Sequence, residues 1–173
     1  MKIWFDGQAL QTASRMRGIG RYVFELVRAL SRRPGVELSI SFNAAMPEAA
    51  LAARDALAPW IDGDAMHAWE STPDDGEVAS GLGPARRLAQ IALAHHVASL
   101  APDVAVTASP FEGLGDAAVA LEPDPLLPCA LAAIFYDAIP HRFPERYLQN
   151  PALGEVYARR LALVSRYDLN LCI

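Results

Sequence analysis

"SRMRGIGRYVFELVRAL", residues 14–30, is the stretch on which the fold turns. It sets Gly18 and Gly20 among arginines and then runs straight into helix-forming residues. Glycine at a helix start costs backbone entropy, so its use there points to a close approach to the backbone. Helix-start N–H groups and the helix dipole favour an anion at such a place. The plainer reading is a glycine loop that turns a corner, with its flanking Arg17 and Arg21 in solvent. From about Ile19 to Arg33 the stretch puts Val23, Leu26, Val27 and Leu30 on one helix face. Arg21, Glu25, Arg28 and Arg32 form a charged ladder on the other face. Pro34-Gly35 ends the helix.

Outward from this helix, "KIWFD" (2–6) is a short apolar strand closed by Asp6-Gly7, and "VELSISF" (36–42) reads as a second strand. "PEAALAARDALAPW" (47–60) is helical, with Pro47 suited to a first turn. Residues 61–83 are rich in Asp, Gly and Ser and read as irregular surface with room for one short strand. "PARRLAQIALAHHVASL" (84–100) is the next helix. "DVAVTAS" (103–109) and "AAVAL" (117–121) are strand-like, and "ALAAIFYD" (130–137) is apolar enough for a buried strand. A loop over 138–150 leads to a helix at 151–166 with Leu153, Val156, Tyr157, Leu161 and Val164 inward. "DLNLCI" (168–173) is a last, buried strand. Strands alternating with crossover helices predict an α/β fold, a Rossmann-like and mostly parallel sheet with helices on both faces.

At 173 residues the chain is one domain by length, or one half of a two-lobed protein, and it is long enough to bury a core without disulfides or metals. The net charge of −5 argues against nucleic acid as a partner. Cys129 and Cys172 sit in apolar runs and are expected to be buried, reduced thiols. There is no signal-like leader and no run of eighteen apolar residues, so the expected location is cytoplasmic. Peripheral contact with the inner face of the membrane stays open, because it needs neither feature.

Gly18 to Val23 spells G-x-G-x-x-V, but the third glycine of a dinucleotide fingerprint is missing, and "SFNAA" lacks the acid that would hold a ribose. A nicotinamide or flavin cofactor is therefore not expected, nor a P-loop nucleotide site. Asp62-Gly63-Asp64 spells D-x-D, yet D-G is a common turn and no apolar strand precedes it. His95 and His96 are adjacent on a helix and point about 100° apart, so they cannot share a metal. Neither a metal nor another cofactor is expected.

"FDGQALQTASRMRGIGRYVFELVRAL" resembles the opening of family 4 (group 1) retaining glycosyltransferases of GT-B fold, in particular the bacterial mannosyltransferase-like group that builds surface polysaccharides. "SPFEGLGD" (109–116), "YDAIPHRFPERYL" (136–148) and "YARRLALVSRYDLNLCI" (157–173) fit the same group in the same order. The resemblance implies that residues 1–173 form the N-terminal, acceptor-side domain, with the donor-binding C-terminal domain outside this chain. It implies a nucleotide-sugar donor and a saccharide or lipid-linked acceptor as substrates. Gly18 and Gly20, with Arg17 or Arg21, would then face the donor diphosphate. Asp137 and Tyr136 would sit near the transferred sugar; the family often has histidine where Tyr136 stands, so that histidine's role does not carry over. Glu112 and His141 become candidates for acceptor hydroxyls. Each has a bland alternative: Asp137 as a loop cap, Glu112 in a rigid turn, His141 as an exposed loop histidine. The rival class is a carbohydrate-binding or scaffold module of the same fold without catalysis, and a weaker one is a nucleotide-binding oxidoreductase.

Overall fold

The structure is a computed structural model that describes residues 1–125 and 127–173. Six parallel strands form one sheet: β1 (Lys2–Asp6), β2 (Glu37–Asn43), β3 (Met66–Trp69), β4 (Val104–Thr107), β5 (Ala130–Phe135) and β6 (Leu169–Cys172). Their order is β3-β2-β1-β4-β5-β6. This is the doubly wound Rossmann arrangement, whose ligand crevice lies where the order reverses, here between β1 and β4. Phe5 is paired with Ile40 on one side and Val106 on the other, so β1 is the central strand.

Alternation along the strands splits the core in two. Ile3, Phe5, Ile40, Val106 and Ile134 pack under α1 (Gly18–Ser31) and α2 (Pro47–Leu57), through Val23, Val27, Ala53 and Leu57. Trp4, Ala105, Leu131 and Ala133 face the opposite way, against Leu93 and Val97 of α4 (Pro84–Leu100). Helices therefore cover both faces. The last long helix, α7 (Pro151–Val164), packs on the short α3 (Glu77–Ser80) and not on the sheet centre. Among the described residues no helix is long and apolar enough to cross a membrane.

Four expectations are corrected. The "AAVAL" segment is buried but pairs with no strand. Its backbone is answered by side chains instead: Gln8 accepts from the Val119 N–H at 2.9 Å and donates to its carbonyl at 2.7 Å, as a neighbouring strand would. The Ala117, Ala118 and Leu121 carbonyls accept from Asn43, Arg86 and Tyr167. The final strand is the sheet edge rather than a buried strand, because only β5 flanks it, and Leu169 is 54% exposed. Cys172, on that edge, is exposed and Cys129 is half-buried, so neither thiol is a core thiol. The 138–150 loop contains two helical turns, α5 (Ile139–Arg142) and α6 (Pro144–Tyr147), each opened by a proline in its first turn.

Candidate active site

The switch point gathers the ends of β1, β4 and β5 around a cavity of about 370 Å³. From β1 the chain passes through a 3₁₀ turn at Ala13–Met16 and enters α1 at Arg17, which adopts extended backbone as the N-cap. Among the described residues no side chain caps this helix, so its first N–H groups are available to a ligand. Arg17 lines the cavity, as do Glu112 beyond β4 and Tyr136 and Asp137 beyond β5. Residues spread over 120 positions of sequence thus converge as the parallel topology demands. Phe111, stacked on Tyr157 at 4.9 Å and 22°, forms an aromatic wall beside them.

The other candidates separate from this group. A Cβ at Gly20 would lie 2.3 Å from the Arg15 Cα and 2.6 Å from its carbonyl oxygen, so this glycine accommodates the chain's own 3₁₀ turn. A Cβ at Gly18 meets nothing within 4 Å, leaving that position open. Arg21 lies on a smaller groove between α1 and α2, with Leu10, Arg15, Met16 and Phe24. His141 is exposed on α5, away from the cavity lining.

Glu112 is only 6% exposed, and both carboxylate oxygens are engaged: Thr12 donates at 2.6 Å and Ser14 at 2.8 Å. Burial pushes its carboxyl above the ordinary range, and the two hydroxyls pull it back. Asp137 is exposed, with one oxygen accepting from the Ile139 N–H at 2.9 Å in the turn just before α5. The Tyr136 hydroxyl is buried, has no partner among the described residues, and stands edge-on to Tyr22. Burial drives its pKa up, so it stays protonated at neutral pH and acts as a donor, not a base.

Asp6, which sequence reading passes over as part of a turn, is a buried carboxyl near Glu112, behind the cavity lining. It ends β1 almost wholly buried, with Oδ1 accepting from the Gln8 backbone and side chain at 3.0 Å and Oδ2 without a partner among the described residues. Burial raises it to about 7, with the neighbouring Glu112 charge adding to the effect. Its position at the end of the strand on which the sheet pivots was the available signal. Asp62 and Asp64, by contrast, form a turn: Asp62 Oδ1 accepts from the Asp64 N–H at 3.1 Å.

Over 184 aligned residues the chain is 29% identical to the serotype-specific mannosyltransferase WbdA of Escherichia coli, covering 97% of this chain and 20% of that protein. A second Escherichia coli WbdA sequence is 35% identical over 82 residues, 47% of this chain and 10% of the relative. The chain spans about a fifth of the length of the relative it matches most fully. No protein-family profile matches it, and no solved structure matches it significantly. A Rossmann-like sheet with a cavity at its switch point, lined by Arg17, Glu112, Tyr136 and Asp137, is thus joined, along nearly its whole length, to similarity with part of a mannosyltransferase.

Proposed function

We propose that this chain is the acceptor-side, N-terminal domain of a retaining glycosyltransferase of GT-B type. The enzyme moves a sugar, mannose in the simplest case, from a nucleotide-sugar to a saccharide or lipid-linked saccharide in surface-polysaccharide synthesis. The observation that carries the reading is the meeting of Arg17, Glu112, Tyr136 and Asp137 around one switch-point cavity, in a chain similar to a mannosyltransferase. Transfer breaks the bond between the anomeric carbon and the donor phosphate, and negative charge grows on the departing diphosphate. The open N-terminus of α1 and the Arg17 guanidinium are suited to meet that charge. The Tyr136 side chain forms part of the cavity wall, and the exposed Asp137 carboxylate can accept from an acceptor hydroxyl. Phe111 and Tyr157 offer flat apolar faces for a pyranose ring. Most of the nucleotide pocket belongs to a second domain carrying the paired-glutamate motif, and no metal is required because helix N–H groups and arginines stabilise the leaving group.

A lipid-linked acceptor implies work at a membrane surface. Six of the fifteen basic residues lie between Arg15 and Arg33 against one acid, Glu25, in a chain of net charge −5. Met16, 83% exposed, shares the groove of Arg15 and Arg21 and offers an apolar contact for a bilayer's anionic face.

The test is a nucleotide-sugar screen on the polypeptide that carries this segment. Transfer from GDP-mannose that Arg17→Ala and Asp137→Asn each reduce by about 10²-fold or more supports the reading. Full activity in both folded variants removes this cavity from the reaction.

A further inference from the structure

A cluster of buried charges lies behind the cavity, and none of its members was singled out in the sequence. Glu77, Arg86 and Arg160 are each 1% exposed. The Arg86 guanidinium donates to Asp74 at 2.7 Å, and its other arm donates to the Gly113 and Ala118 carbonyls, each at 2.6 Å. Arg160 donates to Glu77 at 3.0 Å and to the Pro110 carbonyl at 2.9 Å. Glu77 also sends its backbone N–H to the Gly113 carbonyl at 2.9 Å. Arg159 joins from the edge, pairing with Glu77 and Glu122.

Buried ion pairs are poor sources of net stability, since desolvation consumes most of the attraction. What distinguishes this cluster is where its free donors go. They end on the carbonyls of Pro110 and Gly113, which flank Glu112 on either side. The loop passes close to the 118 backbone at a position only glycine fits: Gly113 has φ +79°, and a Cβ there would lie 1.8 Å from the Ala118 oxygen. Glu112 in turn holds Thr12 and Ser14, and the Ser14 carbonyl accepts from the Arg17 N–H at 3.0 Å. Hydrogen bonds to the 110–113 backbone, and from the Glu112 side chain onward, therefore link the buried arginines to the turn that presents α1.

We propose that Glu77, Arg86 and Arg160 are positioning residues: they fix the height of Glu112 and, through it, the Thr12–Arg17 turn at the mouth of the cavity. That this geometry serves sugar transfer rests on the function proposed above; the coupling itself does not. Glu112 reports on it, facing Asp6 from β1, Tyr136 just beyond β5 and Asp116 from its own loop, with Thr12 and Ser14 bonded to its carboxylate.

The experiment compares Arg160→Lys with Arg159→Lys in the 173-residue chain, reading the Glu112 side-chain titration by carbon-13 NMR and amide exchange over residues 13–18. Lysine keeps the charge beside Glu77 but loses the fork that also reaches Pro110. In Arg160→Lys the Glu112 midpoint is expected to fall towards the ordinary range and exchange at 13–18 to rise about tenfold, as for a locally loosened segment. Arg159→Lys, which touches no loop carbonyl, leaves both unchanged. Unaltered Glu112 titration and exchange in folded Arg160→Lys overturns the proposal. Should Arg160→Lys fail to fold, Glu77→Gln is measured the same way; failure of both to fold makes the cluster a stability element and equally overturns it. Neither readout needs a substrate, so an absence of transfer leaves this inference standing, and its failure leaves the transferase reading standing.

Discussion

Gly20→Ala is expected to destabilise the fold, whereas Gly18→Ala, two residues away in the same helix turn, is not. At Gly20 the added carbon would sit 2.3 Å from the Arg15 Cα, 2.6 Å from its oxygen and 2.7 Å from its carbonyl carbon. Carbon contacts settle near 3.5–4.0 Å, so the 3₁₀ turn must withdraw by about 1 Å. These are backbone atoms, and the turn is tethered to Glu112 through Thr12 and Ser14, so no side-chain rotation relieves the clash. Overpacking of this kind costs about 1–3 kcal/mol, set against a helix-propensity gain of up to ~1 kcal/mol. With ~2–4 °C per kcal/mol for a domain of this size, a net loss of up to about 3 kcal/mol lowers the melting temperature by up to roughly 12 °C. At Gly18 nothing lies within 4 Å, so only the propensity gain remains and the melting temperature holds or rises. Thermal melts by circular dichroism on the two variants decide it. A Gly20→Ala protein that melts with the wild type would refute the packing account and return Gly20 to the role of a ligand-approach glycine.

Three further outcomes are expected. Asp6, raised to about 7 by burial, holds its proton in the folded state across a range where the unfolded chain has released it, so its contribution to stability is lost as pH rises from about 4 to 7. The wild-type melting temperature relative to Asp6→Asn should therefore decline over that interval, and a constant difference would contradict the burial. Ala101 closes α4 with φ +45°, a left-handed conformation that favours glycine, so Ala101→Gly should raise stability by about 0.5–1 kcal/mol in urea unfolding. The 173-residue chain should sediment with phosphatidylglycerol vesicles at low salt but not with phosphatidylcholine vesicles, and Arg21→Glu with Arg28→Glu should abolish it; binding indifferent to lipid charge would remove the arginine face from any membrane role.

The sheet was legible because continuous apolar runs such as "ALAAIFYD" and "KIWFD" have no alternative to burial in a parallel layer, and the helices between them leave one topology. The β3 strand, "MHAW", was legible only as room for one short strand within 61–83, because it is four residues long and has polar residues around it. "AAVAL" misled for the opposite reason. It has strand composition, but its backbone partners are the amide of Gln8 and other side chains brought from far along the chain, which no local pattern announces. Arg86 and Arg160 did leave a trace: each falls on the inward stripe of its helix, three residues from Ala89 and from Tyr157. An arginine at a core position is either a fault in the helix reading or a buried charge held by ion pairs and carbonyls, and here it is the second. Of the cavity lining, Asp137 was legible from the rule that strands deliver ligands at their C-terminal ends, Arg17 from the glycine-rich helix start and Tyr136 from the family resemblance. Gly20 was not, because its neighbour is the chain's own backbone.

The central claim is that the switch-point cavity receives an acceptor saccharide while the nucleotide-sugar is held mainly elsewhere. Titrating the isotope-labelled 173-residue chain with α-mannobiose and, separately, with GDP-mannose tests it most directly. The account predicts saturable amide shifts with the disaccharide at Phe111, Glu112, Tyr136 and Asp137, and with GDP-mannose only weak shifts confined to Arg17–Gly20. Micromolar GDP-mannose binding, or disaccharide shifts that avoid those four residues, would contradict it.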